Sequence, residues 1–74
     1  MEPAEAARRV LAEAEGDLHW TVIWDRALKA GYIDPFTQRD ARDGLIAALA
    51  AAAKDGTIEK TSKGTYRVTR ASQS

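Results

Sequence analysis

The sequence predicts a small α+β domain, three helices followed by a β-hairpin. Two neighbouring stretches carry that prediction. Residues 37–56, TQRDARDGLIAALAAAAKDG, place Ala41, Leu45, Ala48, Leu49 and Ala52 at the spacing of one helix face. Residues 57–69, TIEKTSKGTYRVT, are rich in β-branched residues and alternate in polarity, with Gly64 between two runs.

The first helix is predicted over residues 3–15. Ala7, Val10, Leu11 and Ala14 fall at i, i+3, i+4 and i+7, Glu5 can support Arg9 one turn on, and Gly16 stops the run. Residues 17–19 read as a short extended segment able to add a third strand and cover one edge of the hairpin. The second helix runs from Trp20 or Thr21 to Ala30, with Gly31 as its stop. Trp20, Ile23, Trp24, Ala27 and Leu28 share one arc, so both tryptophans are expected to pack on the core. Pro35 then breaks the helical pattern. Ile33 and Phe36 are expected to fill the gap before the third helix, with Phe36 stapled onto Ala41.

Thr37, followed by Asp40, has the form of a capping box for the third helix, with Asp in place of Glu or Gln. Gly56 stands where a left-handed residue ends a helix. Arg39, Asp43, Ala47, Ala50 and Lys54 form the outward face, on which Arg39 and Asp43 are expected to pair. In the hairpin, strands at 57–61 and 65–69 leave the loop Ser62-Lys63-Gly64, with Gly64 left-handed in a bulge. That register opposes Thr61 to Thr65 and Ile58 to Val68. The expected core is Val10, Leu11, Leu18, Ile23, Trp24, Leu28, Ile33, Leu45, Leu49, Ile58, Tyr66 and Val68.

With 74 residues, the chain has room for one domain, expected at 1–70, with 71–74 as a frayed tail. A hydrophobic content of 45% makes it globular rather than disordered. There is no cysteine, hence no disulfide framework and no thiolate site. The opening MEPAEAARR lacks the apolar core of a signal peptide. The longest apolar run, residues 45–53, is nine residues and too short to span a bilayer. The expected location is the cytoplasm.

Net charge is zero, with 11 basic and 11 acidic residues, which opposes strong non-specific attraction to DNA. The charges are unevenly spread. Residues 1–36 carry four basic and seven acidic groups, whereas 57–74 carry four basic groups and one acidic. The hairpin is the basic part.

Three helices leading into a basic hairpin have the order of a winged helix-turn-helix. Within that frame, Leu18-His19-Trp20, then Ile23, Ala27, Gly31 and Ile33, and the closing Gly64-Thr65-Tyr66-Arg67-Val68 resemble the HARE-type winged helix-turn-helix. The resemblance covers most of residues 5–70. That domain accompanies chromatin regulators, restriction systems and a bacterial RNA polymerase subunit. Where the family tends to have Thr-Pro before its third helix, this chain has Pro35-Phe36-Thr37. The resemblance implies a DNA-associated, regulatory or accessory module, often part of a larger protein.

As a DNA-binding domain, this arrangement places the start of the third helix in the major groove. Gln38, Arg39, Arg42 and Asp43 are then the residues nearest bases, since Arg reads guanine and Gln reads adenine bidentately. Lys60, Thr61, Ser62, Lys63 and Arg67 on the wing would hold phosphates of double-stranded DNA. The competing expectation is a protein-interaction domain. In that reading Gly44, Ala47 and Ala51 form an outward seam for a homodimer or a larger protein partner.

Catalysis is not expected. The single histidine, His19, reads as a hydrogen-bonded structural or surface residue, and a triad needs more than one such group. Zinc needs cysteines or several histidines. Asp40 and Asp43 lie near a helix N-terminus, where negative charge is favourable without any catalytic role. No cofactor, metal, small-molecule ligand or membrane partner is expected.

Overall fold

The computed structural model describes residues 2–14 and 16–68. In order, the elements are α1 (Pro3–Glu13), β1 (Leu18–His19), α2 (Trp20–Lys29), α3 (Ala41–Asp55), β2 (Ile58–Ser62) and β3 (Thr65–Val68). This is the expected α+β winged helix-turn-helix, with the short strand in place at Leu18–His19. Glu15, the expected end of the first helix, lies outside the described residues. So do Thr69, the expected end of the hairpin, Arg70 and the tail at 71–74.

Pro3 opens α1, where a missing N–H costs no helical hydrogen bond. The helix buries Ala6, Ala7, Val10 and Leu11. Its N-terminus crosses α3 at Gly44, where an added Cβ would lie 3.2 Å from Pro3 Cγ. Gly44 is therefore small because α1 is there. It is half-buried rather than part of an outward seam, although Ala47 and Ala51 are exposed. From α2 come buried Ile23 and Ala27, and from α3 buried Ala41, Leu45 and Leu49. Ile33, Ile58 and Tyr66 complete the core, with Leu18, Trp20, Trp24, Leu28 and Val68 partly buried against it. Each fully buried leucine contributes about 1.5–3 kcal/mol of apolar transfer energy.

The strands form one antiparallel sheet in the order β1-β3-β2, so β1 covers the edge of β3 that the hairpin leaves open. β1 pairs Leu18 with Tyr66 and His19 with Thr65. Ile58 opposes Val68 as expected, but the ladder shifts between Lys60 and Ser62, and Ser62 rather than Thr61 opposes Thr65. Gly64 does take the left-handed conformation, φ 73°. The irregularity sits on β2, so the turn proper shortens to Lys63 and Gly64.

The largest departure lies before α3. The helix begins at Ala41, its N-cap Asp40 makes no side-chain capping bond, and the Thr37–Asp40 capping box does not form. An earlier turn takes its place. Asp34 Oδ1 accepts the Phe36 amide at 2.9 Å, and the Asp34 carbonyl accepts the amides of Thr37 at 3.3 Å and Gln38 at 2.9 Å. Asp34-Pro35 thus takes the cap-then-proline role that starts a helical turn. The Thr37 hydroxyl points back to the Asp34 carbonyl at 3.4 Å instead of forward. The turn carries Phe36 outward: it is 90% exposed and neither fills the interhelical gap nor staples onto Ala41. Ile33 alone of the expected pair is buried.

Candidate nucleic-acid interface

Trp20 is the junction of the site. Its backbone amide donates to the Gly64 carbonyl at 2.8 Å, fixing the hairpin tip to the first turn of α2. Its ring centroid lies 5.9 Å from the Arg42 guanidinium carbon, within cation–π range. The first turn of α3 and the tip of the wing therefore meet on one residue of α2.

His19 reinforces the junction. Its Nδ1 accepts the Thr21 amide at 3.3 Å, capping α2, and lies 2.8 Å from the Thr21 hydroxyl. With Nδ1 accepting, the neutral ring carries its proton on Nε2. A Cβ on Gly64 would lie 2.8 Å from that Nε2 and 3.2 Å from Trp20 Cδ1. Glycine is favoured at the wing tip for two reasons, its positive φ and the crowding a Cβ would meet against His19 and Trp20.

The expected α3 residues divide into distinct positions. Arg42 and Asp43 are exposed in the first turn of the helix, where the Asp43 carboxylate suits the helix dipole. Arg39 is exposed but precedes the helix, so it does not share a helical face with Asp43. Among the described residues the pair makes no ion pair; the i, i+4 bridge that does form is Asp25–Lys29, at 3.0 Å. Gln38 is half-buried, and its Oε1 accepts the Asp34 amide at 3.1 Å. Its side chain closes the turn rather than projecting forward.

On the wing, Lys60, Thr61, Ser62 and Lys63 are all exposed. Arg67 is exposed too, but committed across the ladder: Nε and Nη2 donate to Glu59 Oε2 at 3.0 and 2.9 Å. That hydrogen bonding, then the carboxylate's charge, raises the Arg67 pKa above its ordinary value. Lys60 and Lys63 make no ion pair among the described residues, which leaves them the wing's available cations.

Sequence reasoning passed over His19 and Trp20 as site residues, because an aromatic at i, i+3 spacing from a buried isoleucine reads as core. The signal that could have found them is their position at the junction of a short strand and a helix. A residue there touches both neighbouring elements. Among the described residues, no helix is long and apolar enough to cross a membrane.

Comparison with curated proteins found no match, and neither did comparison with solved structures. The HARE-HTH family model, described as an ASXL and restriction endonuclease HTH domain, matches residues 1–71. That family has a helix-turn-helix fold of the DNA-binding type and is not a catalytic family. The match spans every helix and strand set out above, and the chain belongs to the HARE-HTH family.

Proposed function

We propose that this domain binds double-stranded DNA without catalysis, as a regulatory or accessory module. The start of α3 enters the major groove and the wing lies along the backbone. The observation that carries this reading is the double contact of Trp20, to Gly64 of the wing and to Arg42 of α3. It links the arginine-bearing start of α3 to the basic wing tip, which reduces the ordering cost of binding. Arg42 and Arg39 are the base-reading candidates, and Lys60 and Lys63 the phosphate contacts, with Thr61 and Ser62 as neutral donors beside them. Arg67 joins only by exchanging Glu59 for a phosphate. Gln38 contributes through the turn that positions Arg39, and Asp43 sets a repulsive limit on non-specific binding. A DNA ligand also places the protein inside the cell.

The test is a titration with duplex DNA at several salt concentrations, followed residue by residue by NMR. Expected are shifts clustered at Arg39, Arg42, Trp20 and residues 60–64, with affinity falling steeply with salt. Shifts confined to the α1 surface, or no binding at low salt, would refute the reading.

A further inference from the structure

Phe36 is 90% exposed on a turn that is itself well fixed. The Phe36 amide donates to Asp34 Oδ1 at 2.9 Å, the Gln38 amide to the Asp34 carbonyl at 2.9 Å, and the Asp34 amide to Gln38 Oε1 at 3.1 Å. A large aromatic on a fixed turn loses little conformational freedom when it docks, which is the behaviour of an anchor residue. Elsewhere on the molecule, an open groove of about 240 Å³ lies between α1, α3 and β2. Ala4, Leu11, Ala48, Ala52 and Ile58 give it apolar walls. It has room for one phenyl ring.

The charges beside the two features are complementary. The groove's charged lining residues are Arg8 and Asp55, both exposed. Phe36 is flanked by Asp34, two residues before it, and Arg39, three residues after, both exposed.

We propose that the groove between α1 and α3 receives Phe36 of a second copy of this chain, with Asp34 facing Arg8 and Arg39 facing Asp55. One surface donates and a different one receives, so the contact is heterologous. It shares Arg39 with the proposed DNA surface, so the two contacts compete at that residue.

Sedimentation of the intact chain from dilute to near-millimolar concentration tests this. The mass should rise with concentration. Phe36→Ala, at an exposed position that leaves the core untouched, should weaken association by about 30-fold, the loss typical of an anchor. Arg39→Glu and Asp55→Arg should each weaken self-association, and an equimolar mixture of the two should restore it. In a mixed sample of differently labelled copies, the Phe36 ring should show intermolecular contacts to the Ala48 and Ala52 methyls. A parent chain that stays monomeric throughout would overturn the proposal. Association unchanged in Phe36→Ala, or Phe36 signals that respond only to added duplex DNA, would overturn it equally.

Discussion

The amide of Trp20 donates to the carbonyl of Gly64 at 2.8 Å, so the tip of the wing is bonded to the first residue of α2. The wing is anchored at both ends as a result: by its base following α3, and by its tip beside the capping histidine. This relationship makes the hairpin a fixed part of the proposed DNA surface.

Gly64→Ala should therefore cost more than its place at a hairpin tip suggests. The left-handed φ of 73° alone penalises alanine by about 1–2 kcal/mol. The new Cβ would also crowd the His19 ring, whose Nε2 lies 2.8 Å away, and a shift of that ring would loosen the cap on Thr21. Thermal unfolding should show a smaller loss for Gly64→Ala in a His19→Ala background, the difference being the coupling of the two residues. Equal losses in both backgrounds would mean that the ring yields freely.

Leu49→Ala should destabilise the domain by roughly 2–5 kcal/mol, because the leucine is 1% exposed within the hydrophobic core. In a domain this small, that approaches the whole folding free energy. Chemical denaturation measures it, and an unchanged midpoint would contradict the core described above.

On the wing, replacing Lys60 and Lys63 together by Gln should reduce the slope of log K against log salt by about two units at most. Glu59→Gln should do the opposite of a neutral change and strengthen binding, since it releases Arg67 from its two hydrogen bonds. Weaker binding in Glu59→Gln would show that the carboxylate positions Arg67 rather than competing for it.

On α3, Arg42→Ala should weaken duplex binding by roughly 1–3 kcal/mol if a base contact is lost. Asp43→Asn should strengthen it by removing a repulsive charge. Trp20→Leu should reduce affinity in the same direction as Arg42→Ala, and adding it to Arg42→Ala should bring little further loss. Fully additive losses would separate the tryptophan from the arginine.

Stability at alkaline pH should depend on Tyr32. Its hydroxyl donates to Glu13 Oε1 at 2.7 Å, tying the end of α1 to the segment after α2. That hydrogen bond, then desolvation and the Glu13 charge, raises the phenol above its ordinary value of 10.0. The neutral phenol is the favoured form in the fold. Its stabilisation is fully present below pH 10.0 and is lost as pH rises through the higher folded value. Unfolding measured from about pH 8 to 11 should show a decline that is absent in Tyr32→Phe. A parallel decline in both proteins would assign it to other groups.

Periodicity and turn chemistry by themselves determined the three helices, the hairpin, the left-handed glycines at 56 and 64, and the stripe Ala41, Leu45, Leu49 that α3 buries. Those features are local: a helix face repeats every few residues, and a positive φ has its own residue preference. The sequence also marked the wing cations, because charge at exposed strand positions can be counted. Tertiary structure decided the rest. Asp34, rather than Thr37, supplies the capping side chain, and it does so for the turn before α3, because a side chain can serve several amides and only the folded turn selects among them. That choice moved the start of α3 to Ala41, separated Arg39 from Asp43 and turned Phe36 to solvent. Gly44 met Pro3, and Trp20 met both Gly64 and Arg42, through contacts between residues far apart in the chain. No spacing rule encodes such contacts, since they depend on how α1 crosses α3 and on where β1 enters the sheet.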